Sequence, residues 1–288
     1  MKYAIIANPV SGNKTIEQKK KILRDPARIL DAEIYGLDTT SCEDFMICAN
    51  DLSKRVDTLV VVGGDGTFSD VLNAIDTNDV SMGYIPMGTG NALQYILGIK
   101  PGPLDAAIQV KLGTSHDLDT ILCNDEKKAF MSSIGFDGEI LEKRQAFMDK
   151  HGNGGVPAYM SSIAKVMKKY KPFKAHATID GLEKDYKRLF SWMITKIPYY
   201  GMGVKVAPSA TFDSENLHSV QITNHGHLVS AFFTAMSPFG YLGGIQSECK
   251  HIHVETDRDI YLQRDGTLDK KMREFDFKVL PKDLRIIY

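Results

Sequence analysis

Three short apolar runs, each ending at a turn rich in glycine and small polar residues, constrain this chain more than any other feature. "YAIIA" (Tyr3–Ala7) stops at Asn8-Pro9, with Ser11-Gly12 behind it. "TLVVV" (Thr58–Val62) runs into "GGDGT", and "MGYIP" is followed by "GTGN". A strand that is apolar at every position is buried on both faces, as strands of helix-covered parallel sheets are. Helical patterns lie between the runs, at about residues 16–30, 42–54, 68–75 and 92–97, with "AEIYG" as a further strand. This alternation predicts a parallel sheet with helices on both sides.

The pattern changes near residue 118. From there short β-like runs follow one another: "TILCN", "KAFMSSIG", "AHATID", "LFSWMITK", "LHSVQIT", "IHVET" and "IYLQRDG". One helical stretch, Ile140–Tyr170 with a break at "HGNGGVP", interrupts them, and "FDFKVLPKDLRIIY" ends in another strand. The expected fold class is therefore α/β plus β: an N-terminal parallel-sheet α/β domain over residues 1–120, then a C-terminal antiparallel β-sandwich domain over 121–274. The helical insertion covers about 140–170. A chain of 288 residues suits two medium domains or one large one.

Charge and cysteine content narrow the function classes. The net charge of −1 argues against a nucleic-acid partner. The four cysteines (Cys42, Cys48, Cys123, Cys249) form no C-x-x-C pair, which fits reduced thiols in a reducing compartment. No apolar run approaches the roughly 18–20 residues a membrane span needs. The first residues have the length of a buried strand and lack a small-residue cleavage site, so a cytoplasmic location is expected.

"GGDGT" sits where a buried strand delivers the chain to the carboxyl edge of the sheet, the place where open α/β sheets bind ligands. Gly63, Gly64 and Gly66 can take positive φ and let backbone N–H groups approach a ligand with no Cβ in the way. Thr67 stands where an N-cap belongs, and Asp70 three residues on approximates a capping box. The following helix would point its positive end at the loop, a cradle for phosphate. Asp65 beside phosphate is explained if it holds Mg²⁺, which binds few carboxylates together with phosphate oxygens. The plain alternative is a tight glycine turn with a solvated Asp. Two further loops of the same kind, "NPVSGN" and "GTGN", favour the nucleotide reading. Neither a Walker P-loop nor a G-x-G-x-x-G fingerprint is present.

"GGDGT" followed about twenty residues later by "PMGTGN" resembles the diacylglycerol kinase catalytic domain family, which includes bacterial diacylglycerol kinases and sphingosine kinases. "NPVSG", "SIGFDGEI", "VAPSATFDSENL" and "LQRDGT" resemble its other motifs, in order, from Asn8 to Thr267. The resemblance implies an ATP-dependent lipid kinase whose α/β domain binds the nucleotide and whose last strand, within 275–288, returns to that domain. By similarity, Asn8, Ser11, Gly12, Gly63, Gly64, Asp65, Gly66, Thr67, Thr89 and Asn91 would hold ATP, with Thr40 (or its neighbour Thr39) as a looser match. Asp65 and Asp265 would be catalytic, and Asp137 would touch the lipid headgroup or lie in an exposed turn. Asp65 would help hold Mg²⁺. "APSATFDSENL" resembles a loop that binds a structural Mg²⁺ through an Asp-Gly step; that step is absent, and Asp213 stands one position away. The implied partners are ATP and a lipid at a membrane surface, so the cytoplasmic protein would work at the membrane periphery. A homodimer is left open.

Two positions depart from the family pattern. Ala92 replaces an Asp that many bacterial members carry, giving the "GTGNAL" seen in sphingosine kinases. The late D-G-E motif reads Asp265-Gly266-Thr267, and a threonine hydroxyl cannot serve as a base near neutral pH. Asp65, Asp265 and Asp269 are the remaining carboxylates, and with one of them serving, a carboxylate restored at 267 would be redundant. The rivals are an NAD kinase-like enzyme, which shares GGDGT, and a pseudokinase that senses nucleotide or lipid. His251 and His253 alternate on a strand as surface residues do, and "KVMKKYKPFK" (Lys165–Lys174) mixes basic and apolar residues in a way that suits a solvated face or anionic headgroups.

Overall fold

The computed structural model of the chain describes residues 1–88, 90–151, 162–163, 165–199, 205–224, 226, 229 and 244–288. It divides into two units: Met1–Thr120 with Tyr199–Gly203 and Leu280–Tyr288, and Ile121–Pro198 with Val204–Val279.

The first unit holds β1 (Tyr3–Ala7), α1 (Ile16–Leu30), β2 (Ile34–Tyr35), α2 (Cys42–Ser53), β3 (Thr58–Gly63), α3 (Asp65–Leu72), β4 (Ser81–Pro86), α4 (Ala92–Ile96) and α5 (Pro103–Leu112). Its sheet runs β2-β1-β3-β4 with every pair parallel. β1 and β3 are buried at every residue, as their uniform apolarity requires. From β1 the chain first adds β2 on one side and then β3 on the other. The carboxyl ends of β1 and β3 thus form a topological switch point, where loops diverge and leave a crevice. Helix α1 starts with a full capping box, Thr15 with Gln18. It packs against α5, which lies on β4 where Gly83 leaves room for Val110.

The second unit begins within β5 (Ser115–Cys123) and continues through β6 (Lys127–Ala129), β7 (Met131–Gly135), α6 (Phe136–His151), β8 (Phe173–Ile179), β9 (Leu182–Leu189), β10 (Ser191–Thr195), β11 (Leu217–Ile222), β12 (Ile245–Cys249) and β13 (His251–Arg264). The last strand, β14 (Thr267–Ile287), gives this unit its residues up to Val279 and gives the first unit its end, where Ile286 pairs with Met82 of β4. Along the order β12-β11-β10-β7-β13-β14 every pair is antiparallel. Register shifts after Glu255 and Tyr261 break β13 into segments, so its first half pairs with β8 and its end with β7. Trp192, Phe173, Phe275 and Phe277 are wholly buried in the core, and Trp192 Nε1 donates to Ser219 Oγ at 2.6 Å.

The α/β plus β class is observed, with local differences from expectation. "IHVET" and "IYLQRDG" belong to one strand, β13. Strands β9 and β12 carry no apolar signal, since they are exposed at most positions. Helix α6 starts at Phe136, four residues before the expected helix. The helix break at "HGNGGVP" lies outside the described residues apart from its first residue. Among the described residues, no helix is long and apolar enough to cross a membrane.

Candidate functional site

Three loops of the first unit converge at the switch point. Asn8, at the end of β1, donates from Nδ2 to Thr67 Oγ1 at 3.0 Å and accepts from the Val10 N–H at 2.9 Å. Ser11 Oγ accepts from the Gly64 N–H at 3.1 Å. Gly12 has φ +69, and a Cβ there would overlap the Met87 carbonyl oxygen. The loop after β1 is thereby joined to the loops after β3 and β4.

The glycines serve close approach rather than positive φ. Gly63 is in β3, Gly64 is extended (φ −95, ψ −177) and is itself the N-cap of α3, and Gly66 is helical. The positive φ open to glycine is used at none of these three positions, and the missing Cβ is what matters. A Cβ on Gly64 would lie 3.2 Å from Gly88 Cα, and a Cβ on Gly63 would lie 2.6 Å from Thr67 Cβ. The loops after β3 and β4 touch backbone to backbone, and a Cβ on Gly88 would overlap Gly64 Cα. The capping box of Thr67 and Asp70 is corrected too: the helix begins three residues earlier, and Thr67 sits inside its first turn, buried under Asn8. The reason is geometric. An extended Gly64 lets the chain turn into α3 at once, without a side-chain cap. The first N–H groups of α3 have no carbonyl one turn back, so they and the helix dipole face the crevice.

Asp65 is the first residue of α3. Its Oδ2 accepts from the Ala92 N–H at 2.8 Å and its Oδ1 from the Leu93 N–H at 3.1 Å. Burial pushes its carboxyl above the ordinary carboxylate range, and these two hydrogen bonds pull it part of the way back. The carboxylate caps α4 and fixes the loop after β4 to the loop after β3. Asn91 completes the clamp: its Oδ1 accepts from the Gly88 N–H at 3.1 Å and from the Tyr84 hydroxyl at 3.2 Å, and its Nδ2 donates to Gly88 O at 3.0 Å. Thr89 lies outside the described residues.

Lys19 was not anticipated from the sequence. It is 2% exposed, and its Nζ donates to Asn8 O and Pro9 O at 2.8 Å each. Burial lowers its pKa. A single lysine among Lys19, Lys20 and Lys21 turned inward by the helix is legible only as an i, i+4 partner of Leu23 on the buried face. Thr40 is exposed and donates to Asp44 Oδ2 at 2.7 Å beside Ser41, the N-cap of α2. It serves that helix start, and Thr39 donates to Gly36 O at 2.7 Å.

The remaining expected site residues lie in the second unit. Asp265 (φ 44) and Gly266 (φ 85) form the two-residue turn between β13 and β14, a position that selects Asp-Gly by backbone shape alone. The Asp265 Oδ1 accepts from the Met131 N–H at 2.9 Å and the Phe130 N–H at 3.2 Å. Thr267 is exposed and pairs across the turn with Arg264. Asp269 is held by both ends of the Arg264 guanidinium, at 2.5 Å and 2.7 Å, so it is no free base. Asp213 is exposed.

Asp137 sits in the first turn of α6, and the expected exposed turn is overturned: it is 7% exposed and accepts from the Ser191 hydroxyl. Burial raises its pKa and the hydrogen bond from Ser191 opposes this. A carboxyl raised on folding adds stability that is full below its unfolded pKa and lost as pH rises through the folded value. Urea unfolding of wild type is expected to show this loss on raising the pH above the ordinary carboxylate range. Asp137→Asn is expected to remove that part of the slope; an unchanged slope would rule out Asp137 as its source.

Comparison with known proteins shows what the first unit is similar to. Residues 2–123 match the diacylglycerol kinase catalytic domain. An uncharacterized Synechocystis protein is 30% identical over 191 residues, 61% of this chain and 43% of that protein's length. A diacylglycerol kinase of Mycobacterium tuberculosis is 27% identical over 219 residues, 73% of this chain and 69% of its own length. Among solved structures, a diacylglycerol kinase from Bacillus anthracis has a TM-score of 0.79 at 20% identity, covering 100% of this chain and 96% of its own. An Archaeoglobus fulgidus NAD kinase solved with ATP has a TM-score of 0.54 at 14% identity, covering 99% and 93%. Residues 2–123 thus carry the likeness to the diacylglycerol kinase catalytic domain, and these are the residues that form the three loops at the switch point.

Proposed function

We propose that the chain is an ATP-dependent lipid kinase that transfers the γ-phosphate of ATP to a lipid hydroxyl of the diacylglycerol or sphingoid type. The observation that carries this reading is the contact of Gly64 with Gly88 beside the open first turn of α3. It brings the loops after β3 and β4 together with no side chain between them, beside the N–H groups of Asp65, Gly66 and Thr67 that have no carbonyl one turn back, an arrangement that suits phosphate oxygens. Ser11, Thr67 and Asn8 would hold the loops in register around them.

Among the described residues no cluster of three acidic, histidine or cysteine side chains could hold a metal alone. Mg²⁺ fits this surface as an ion that arrives with ATP and neutralises phosphate charge. The Asp65 carboxylate, beside its bonds from Ala92 and Leu93, would be placed to orient a water of that ion. Its first task is to order the loops. The lipid hydroxyl oxygen would attack the γ-phosphorus, the bond to the β-phosphate bridging oxygen would break with ADP as the leaving group, and the hydroxyl proton would pass to solvent water. The residues named here contribute mainly position and electrostatics. A lipid at an anionic surface suits the exposed Lys165, Lys168, Lys169, Lys171 and Lys174.

A second reading, a nucleotide-binding pseudokinase, is favoured by one specific observation: Asp265 and Asp269, the carboxylates beside Thr267, are both engaged. The deciding experiment is a radiolabelled ATP assay on diacylglycerol, phosphatidylglycerol, sphingoid bases, ceramide and NAD. Label on a lipid supports the kinase, label on NAD supports an NAD kinase-like enzyme, and ATP binding without transfer supports the pseudokinase.

Engagement of Asp269 also changes the expectation for Thr267. A new carboxylate there would not duplicate a free one, so Thr267→Glu is expected to raise kcat about tenfold with ATP affinity unchanged. The gain falls below the roughly 10²–10⁴-fold of general-base catalysis because Arg264 would compete for the new group. Steady-state kinetics on the best lipid of the panel checks this, and an unchanged or lower kcat would argue that no base is missing.

A further inference from the structure

The loop over residues 205–216 raises a question about cations. Its resemblance to a structural Mg²⁺ loop implies a metal at Asp213. The residues do not fit one. Mg²⁺ needs a compact set of oxygen donors, several of them anionic or water. Asp213 is exposed, and among the described residues no three potential acidic, histidine or cysteine ligands come together.

Something else occupies the inside of the loop. Lys196, the residue after β10, is 0% exposed. Its backbone N–H donates to Phe130 O at 2.8 Å, which fixes the strand end, and its side chain runs under the loop. Its Nζ donates to Ser214 Oγ at 2.9 Å and to Asn216 O at 2.7 Å. Ser214 Oγ in turn lies 3.3 Å from Thr211 O, to which it can donate, and 3.2 Å from His218 Nε2. Glu215 between them takes φ +51, so the chain curls back to aim both oxygens inward. Phe212 and Ala210 bury the rest of the loop, Phe212 against Phe130. The loop therefore turns a hydroxyl and a carbonyl onto one ammonium group. A divalent ion seeking those oxygens would meet a positive charge already bonded to them.

We propose that the Lys196 ammonium is the resident cation of this loop, standing in for the metal that the family resemblance implies. The loop is then ordered by the polypeptide alone, whatever the divalent ion concentration. The idea does not depend on which substrate the first unit binds.

Two measurements on the full chain without nucleotide test it. Wild type is melted with excess chelator and with excess Mg²⁺, and the two melting temperatures are expected to agree within about one degree, well under the several degrees that ~1 kcal/mol moves a domain of this size class. Lys196→Met keeps the length of the side chain and removes the charge. Limited proteolysis is expected to cut this variant within 205–216 several-fold faster than wild type, with or without Mg²⁺, while Lys196→Arg stays closer to wild type. If Lys196→Met does not fold, the wild-type melts and Lys196→Arg carry the test. A rise of several degrees with Mg²⁺ in wild type that Asp213→Asn abolishes would overturn the proposal, as would wild-type protection of the loop in Lys196→Met.

Discussion

Gly88→Ala is expected to weaken ATP binding about 10- to 100-fold, from the ~1–3 kcal/mol that forcing a methyl into a packed contact costs. The added Cβ would overlap Gly64 Cα and lie 2.8 Å from Asn91 Oδ1 and 3.0 Å from Gly64 N. These are mostly backbone atoms, so no rotamer change relieves the clash. The two loops must part, and parting them opens the surface proposed to take phosphate. The fold should survive, because β3 and β4 pair along six residues upstream of the contact. Calorimetric titration with ATP, beside a thermal melt, separates the outcomes. Unchanged affinity with a normal melt would remove the phosphate role from the Gly64–Gly88 contact. Gly98→Ala serves as a control, since a Cβ there meets nothing within 4 Å, although its φ of +57 carries some backbone strain.

Asp65→Asn is expected to lower phosphoryl transfer about 100-fold or more while the protein stays folded. The substitution keeps the shape, but an amide offers one acceptor where two backbone N–H groups require two. One of the Ala92 and Leu93 donors would then face an NH₂ group. Hydrogen bonds to charged groups are worth about 1.5–3 kcal/mol each, and a loss of ~2.7 kcal/mol in the transition state is a hundredfold in rate. The loss should appear in kcat and in ATP affinity together, because Asp65 orders the loop as well as placing charge near the phosphates. A fall in kcat alone, with ATP affinity intact, would point to a metal-directed role without the cap. Activity within twofold of wild type would remove Asp65 from the site.

Much of the first unit was legible because its signals are local. Uniform apolarity in "YAIIA" and "TLVVV" states burial on both faces, and "GGDGT" after such a strand states a ligand-facing turn. The polar strands β9 and β12 were illegible for the matching reason. Strands exposed at most positions show neither apolar runs nor clean alternation, and only pairing with β8 and β11 makes them strands. Asp-Gly at 265–266 reads in sequence only as a motif, and the φ values at both residues place it in a hairpin turn, whose geometry itself favours Asp-Gly.

The sequence by itself indicated a parallel, helix-covered sheet and three of the loops at its carboxyl edge, since apolar periodicity and turn chemistry act within windows of ten residues or so; the order of the strands came only with the fold. Tertiary structure decided what those residues do. Asp65 meets Ala92 and Leu93 across 27 and 28 positions, and Gly64 meets Gly88 across 24. Whether a glycine is there for its φ or for its missing Cβ depends on what the fold brings against it. The same holds for Lys19 and Lys196: in sequence they are ordinary lysines, and only packing made one a strut under Asn8 and the other an internal cation. Contacts between distant segments are set by how helices and strands stack, and no local pattern encodes the partner.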